Sequence, residues 1–220
     1  MKVAVILSGC GVYDGAEIHE SVLTLLALSR ANVETECLAP DIPQSHVINH
    51  LTGEVASDEK RNVLVESARI ARGKIKNLAN AKASDYDAVF FPGGFGAAKN
   101  LSNFAFQGAQ CQVQSDVLRF AQAVAQARIP ACYMCIAPAL APLIYGKEVQ
   151  VSIGDDAATA AAIQELGGQH ITCNVHEIHV DQTHRLVSTP AYMLAGSISE
   201  AASGIDKAVA ATLALVRNAD

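Results

Sequence analysis

Apolar residues in this chain fall in short unbroken runs separated by stretches where they recur every three or four positions. The first run, Lys2 to Leu7, reads as a buried strand stopped by Ser8-Gly9-Cys10-Gly11. Glu17 to Arg30 has helical spacing (Ile18, Val22, Leu25, Leu26, Leu28), and Val33 to Leu38 reads as a second strand ended by Ala39-Pro40. Val47-Ile48 and Val55 suggest a small hairpin. Asn62 to Arg72 reads as a helix, and Tyr86 to Phe91 as a strand broken by Pro92-Gly93-Gly94.

The alternation then repeats. Val113 to Ala127 is an amphipathic helix, Pro130 to Cys135 a strand, and the following segment a helix toward Ile144. Val149 to Ile153 reads as a strand, and Asp155-Asp156 opens an Ala-rich helix that Gly167-Gly168 closes. Ile171 to Val175, Ile178 to Val180 and Leu186 to Ser188 read as short strands, before a final helix from Ile198 to Val216. Strands alternating with helices predict an α/β fold: a doubly wound, mostly parallel sheet with helices on both faces. No linker, repeat or low-complexity tract interrupts it, so residues 1–220 are expected to form one domain.

Composition narrows the partners. Half the residues are hydrophobic, 17% are charged, and the formal net charge is −6 with no Lys/Arg block, which argues against nucleic acid or an anionic membrane. Val3 to Leu7 is too short for a signal sequence and no run approaches a membrane span, so a cytoplasmic protein is expected. The six cysteines (Cys10, Cys37, Cys111, Cys132, Cys135 and Cys173) are then expected as free thiols.

One segment carries candidate chemistry. Ile129-Pro130-Ala131-Cys132-Tyr133-Met134-Cys135-Ile136-Ala137-Pro138 runs from a buried strand into a segment whose proline suits a first helical turn. Such a corner pushes its residue out of the sheet, as in the elbow that presents a hydrolase serine. Here that residue is Cys135, and a helix N-terminus would favour its thiolate. Strand exits gather chemistry at the carboxyl edge of a parallel sheet. The first exit carries Asp14, Glu17, His19 and Glu20, and the third carries Gly93 and Gly94, whose missing Cβ atoms would let the main chain approach a substrate. A thiol, a carboxyl group and bare N–H groups suit attack on a carbonyl.

Competing readings exist for each motif. By composition alone Cys135 would be a packed core residue and Glu20 a solvated one. Cys132 and Cys135 spell C-x-x-C, but three positions along a strand face opposite sides, so no metal is expected. Gly9-x-Gly11-x-x-x-Gly15, with Asp41 on the second strand, hints at a dinucleotide. Asp14, Glu17 and Glu20 would repel its pyrophosphate, so no cofactor is expected.

The elbow and Gly15-Ala-Glu-Ile-His-Glu-Ser-Val22 resemble the superfamily of DJ-1, the PfpI peptidases and class I glutamine amidotransferases, and in particular its ES1 branch, the bacterial enhancing-lycopene-biosynthesis proteins. Ser8-Gly-Cys-Gly-Val-Tyr-Asp14, Ile48-Asn-His-Leu-Thr-Gly-Glu54, Pro92-Gly-Gly-Phe-Gly-Ala-Ala-Lys-Asn-Leu-Ser-Asn-Phe104, Met134-Cys-Ile-Ala-Pro138 and Thr189-Pro-Ala-Tyr-Met193 carry the resemblance. It implies a flavodoxin-like fold, a homodimer, and Cys135 as nucleophile with Glu20 as its carboxyl partner. Oxyanion donors fall on the N–H groups of Gly94 and Ile136. It also implies glutathione-independent glyoxalase activity on glyoxal or a similar aldehyde. Ile136 stands where many members have a histidine, which weighs against amidotransferase or peptidase activity; His176, Glu177 and His179 are possible substitutes. The alternatives are a redox-sensing or chaperone-like protein switched at Cys135, and a catalytically idle amidotransferase-like module.

Overall fold

The N-terminal apolar run forms β1 (Lys2–Ile6), followed by α1 (Ile18–Arg30), β2 (Glu34–Ala39), the hairpin of β3 (Ile48–Asn49) and β4 (Glu54–Val55), α2 (Val63–Ile70) and β5 (Ile75–Asn77). Next come β6 (Ala88–Phe91), α3 (Phe95–Lys99), α4 (Phe104–Gln107), α5 (Ser115–Gln126), β7 (Ala131–Met134) and α6 (Ala141–Tyr145). The last third holds β8 (Gln150–Val151), α7 (Ala157–Glu165), β9 (Gln169–His170), β10 (His179–Asp181), β11 (Leu186–Thr189) and α8 (Ile198–Arg217). This computed structural model describes residues 1–218.

Seven strands form the central sheet in the order β10-β11-β7-β6-β1-β2-β5, parallel throughout except for β10. Period-two alternation divides its side chains between two cores. Ala4, Ile6, Val89, Phe91, Ala131 and Tyr133 pack with Val117, Phe120 and Val124 of α5. Val3, Val5, Phe90, Cys132 and Met134 pack with Leu28 of α1 and with Ala201, Ile205 and Val209 of α8. Both faces are covered, as apolar parallel strands require. This is the doubly wound, flavodoxin-like α/β architecture.

Several local expectations are corrected. Ile171 to Val175 is not a strand: the Ile171 N–H makes one more bond, to the Val151 carbonyl, and the chain then turns at Asn174–Glu177. Val149 to Ile153 keeps only Gln150–Val151 as strand, paired with β9 in a separate two-stranded sheet. Val113 lies outside α5, bridged to Ser102, because the Gln114 side chain caps the helix through the Val117 N–H (3.0 Å). The short α3 and α4 and strand β5 were not anticipated, since their few residues show no clear period. Among the described residues no helix is long and apolar enough to cross a membrane.

Candidate active site

The site lies at the carboxyl ends of β1, β6, β7 and β11. Strand β7 ends when the Cys135 N–H donates to the Thr189 carbonyl (3.0 Å), its last bond to the β11 side. At Cys135 the backbone enters the left-handed region (φ +60°), a conformation that non-glycine residues adopt at a cost. That turn ends the alternation, so Cys132 and Cys135 both belong to the core on the α1/α8 side rather than facing opposite ways. All six cysteines are free thiols. Among the described residues no group of three or more His, Cys, Asp or Glu side chains is placed to hold a metal ion.

Glu20 reaches the sulfur from the first turn of α1 and is fully buried. One carboxyl oxygen accepts the Gly93 N–H (2.8 Å) and the other the Tyr192 N–H (3.1 Å), while the carboxyl also hydrogen-bonds Cys135. Glu17 caps the helix: its carboxylate accepts the Glu20 N–H at 2.7 Å. Burial is the main force pushing Glu20 up to about 7, and the negative Glu17 next to it adds to the shift.

Cys135 is 7% exposed. Burial pushes its thiol well above the ordinary value, and the charge of Glu20 adds to this, although the N–H groups of Gly94 and Ile136 donate to the sulfur and oppose it. The expected helix-stabilised thiolate is therefore corrected to a thiol. The reason is local: a single 3-10 turn (Ala137–Leu140) follows the elbow, then only the five residues of α6, so no long helix points its N-terminus at the sulfur.

The three sequence-predicted backbone donors are brought together but are not equivalent. Gly94 and Ile136 aim their N–H groups at the sulfur. Gly93 spends its N–H on Glu20, so its expected place among the oxyanion and substrate-binding groups is corrected. Its missing Cβ makes room for the Cys135–Glu20 pair rather than for a substrate. A Cβ there would lie 2.4 Å from Cys135 Cβ and 2.9 Å from a Glu20 carboxyl oxygen.

The remaining candidates fall away from the sulfur. Asp14 anchors the hairpin by accepting the Ile48 N–H (2.7 Å), and Asp41 accepts from the Asn62 amide (2.8 Å). The Glu177 carboxylate accepts the Asn174 N–H, His179 bonds Gln150 on the sheet edge, and the His176 carbonyl holds Lys207; none of the three lines the cavity above Cys135. His19, an exposed residue, bonds the Tyr192 hydroxyl through Nδ1 (2.8 Å).

That cavity encloses about 350 Å³ and is bounded by Val12, Glu17, Phe95, Phe104, Asp156, Tyr192 and Met193, with Cys135, Gly94 and Ile136 in its wall. Sequence reasoning missed Tyr192 because its contribution to Glu20 is a backbone N–H. Two signals were present: Pro190 after β11, a helix-start residue, and the Thr189-Pro-Ala-Tyr-Met193 segment that carries part of the resemblance. The turn that Pro190 opens places Ala191 at φ +44° and aims the next N–H at the carboxyl.

No protein-family model matches the chain. It is 48% identical to the mitochondrial ES1 protein homolog of Rattus norvegicus, over 97% of this chain and 84% of the relative. It is also 48% identical to the human mitochondrial glutamine amidotransferase-like class 1 domain-containing protein 3, over 97% of this chain and 83% of the relative. Among solved structures, an isoprenoid biosynthesis protein with an amidotransferase-like domain from Ehrlichia chaffeensis superposes with a TM-score of 0.91 at 34% identity, covering 98% and 99% of the two chains. A glyoxalase III from Candida albicans shares the fold alone, with a TM-score of 0.62 at 14% identity over 96% of this chain and 97% of that chain. These relatives correct one expectation: both curated ones are mitochondrial by name, so the cytoplasmic assignment, which rested on the lack of a visible leader, does not hold.

Proposed function

The chain belongs to the ES1 family of amidotransferase-like proteins, and from that premise we propose that it is a cofactor-free, glutathione-independent glyoxalase. In this reading it converts glyoxal or a similar small 2-oxoaldehyde to the 2-hydroxy acid. One observation carries it: the hydrogen-bonded Cys135–Glu20 pair at the wall of a cavity, with the carboxyl poised near neutrality.

The reaction needs only groups already in place. Ionised Glu20 takes the S–H proton as sulfur bonds to the aldehyde carbon. The aldehyde oxygen becomes an alkoxide, stabilised by the N–H groups of Gly94 and Ile136, and then recovers the proton from Glu20 to give a hemithioacetal. Glu20 next removes the hydrogen on that carbon as a proton. The resulting enediol is reprotonated at the neighbouring carbon and collapses to a thioester. Water cleaves the thioester, releasing the 2-hydroxy acid and restoring the thiol. One carbon is oxidised, its neighbour is reduced, and one water is consumed, so no external oxidant enters. Raised to about 7, Glu20 is well matched to give and take a proton at neutral pH.

The amidotransferase reading lacks a histidine base among the residues lining the cavity. The redox-switch reading is weakened by a buried sulfur held as a thiol, because oxidants act on exposed thiolates. The dimer belongs to the same proposal: Ile18, Val22 and Leu26 expose an apolar stripe along α1, and sedimentation would show whether two copies associate. The direct test is glycolate formation from glyoxal, followed by NMR in the intact protein and in Cys135→Ala. Turnover that disappears in the variant is expected. Turnover unchanged in Cys135→Ala, or absent from both, would remove the reading and leave the idle module.

A further inference from the structure

The cavity carries information about which carbonyl compound it admits. Its space, about 350 Å³, would hold roughly ten waters at ~30 Å³ each, far more than glyoxal occupies. The side chains facing that space are mostly hydrocarbon: Val12, Phe95, Ala98, Phe104, Ile136 and Met193. Besides the Cys135 thiol, the ionisable groups among the lining residues are two carboxyl side chains, Glu17 and Asp156, and the Tyr192 phenol; none is a lysine, arginine or histidine. Glu17 is committed to capping α1 and Asp156 to capping α7, where it accepts the Thr159 N–H (2.8 Å). The basic side chains nearby are engaged outside. Lys99 donates to the Tyr13 carbonyl with its ammonium 5.1 Å from the centre of the Phe95 ring, and His19 bonds the Tyr192 hydroxyl.

Resting on the aldehyde chemistry above, we propose that the preferred substrates are uncharged 2-oxoaldehydes carrying an apolar aryl or branched alkyl group, with glyoxal a minimal substrate and anionic aldehydes excluded. The physical reason is twofold. An apolar group displaces poorly held water from a hydrocarbon wall. A carboxylate or phosphate on the substrate would meet two negative side chains with no cation to pair with, losing its hydration without compensation.

Matched compounds separate the outcomes. Phenylglyoxal is expected to show a KM at least about tenfold below that of glyoxal, and 4-carboxyphenylglyoxal a KM at least about tenfold above that of phenylglyoxal. Ala105→Leu, at an exposed position of α4 that borders the cavity, should shrink the phenylglyoxal advantage by narrowing the space. Equal KM values for glyoxal and phenylglyoxal, or no penalty for the carboxylate, would overturn the inference while leaving the glyoxalase reading intact.

A second readout needs no turnover. Alkylation of Cys135 by iodoacetamide, followed by mass spectrometry, should be slowed by acetophenone and not by benzoate. Equal protection by both, or by neither, would overturn the inference. Selective protection by acetophenone in a protein that turns over no aldehyde would preserve the apolar, uncharged binding class and remove the glyoxalase reading instead.

Discussion

Two carboxyl groups of this chain are almost completely removed from water and respond in opposite ways. Glu20, fully buried, is pushed up to about 7. Asp181, 4% exposed, is held below its ordinary value. Burial raises both, more strongly for the more deeply buried Glu20, and their partners widen the difference. Asp181 accepts the Gln150 N–H (2.8 Å), the His184 N–H (3.0 Å) and His184 Nδ1 (2.7 Å), a set of donors that outweighs desolvation. Glu20 also accepts two N–H bonds, but it faces the Glu17 charge and a thiol instead of an imidazole. Asp181 stitches β8 to the edge of the main sheet, whereas Glu20 can release or take up a proton. Two carboxyls hidden from solvent thus differ: donors make Asp181 a structural anion, whereas deeper burial and a neighbouring charge leave Glu20 able to exchange a proton near neutrality.

The largest expected contrast is in turnover. Cys135→Ala should lower kcat/KM for a 2-oxoaldehyde by more than about 1,000-fold, and Glu20→Gln by about 100-fold or more. Asp181→Asn should leave it within a few-fold. Comparable losses in Glu20→Gln and Asp181→Asn, measured on folded protein, would erase the distinction between the two carboxyls. For wild type, kcat/KM should rise with pH through about 7 as Glu20 ionises, a limb missing from Glu20→Gln.

Stability should divide the pair the other way. Asp181→Asn is expected to cost on the order of 2 kcal/mol at pH 7, read by chemical denaturation, because a charged acceptor with three donors is lost. The lowered value of Asp181 means that its contribution is present at neutral pH and is lost as pH falls through the native-state value. Gly93→Ala should cost a similar ~2 kcal/mol through overlap with Cys135, and should abolish turnover as well.

The smallest effect is the most specific. Because Glu20 is raised from 4.5 to about 7, the fold binds its proton more tightly than the unfolded chain does. Its contribution is therefore most favourable below about 4.5 and declines as pH rises toward 7. Full ionisation costs up to about 3 kcal/mol. Denaturation midpoints at pH 5 and pH 8 should differ less in Glu20→Gln than in wild type. An unchanged difference would mean that Glu20 does not carry this proton.

Much of the architecture was legible in the residues. Unbroken runs such as Val3–Leu7 and Ala88–Phe91 cannot be solvated on either side, so strands covered on both faces follow from their composition. The segment Ile171 to Val175 misled because its apolar residues say nothing about whether a partner strand is available, and β8 ends too soon to supply one. At the site, Cys135 could be picked out because a proline-marked corner is a local feature. Glu20 could be assigned only by resemblance, since nothing in its neighbours distinguishes it from a solvated helix residue.

The order of apolar and polar positions was enough to determine the layered α/β fold, the elbow and the glycine pair at the strand exit, because each depends on contacts between residues near in the chain. Tertiary structure alone decided that the Gly93 N–H serves Glu20 rather than a substrate, that Tyr192 supplies the second donor, and that the sulfur rests as a thiol. Those outcomes depend on desolvation and on hydrogen bonds between groups as far apart as Glu20 and Tyr192, and neither exists until the sheet closes over them.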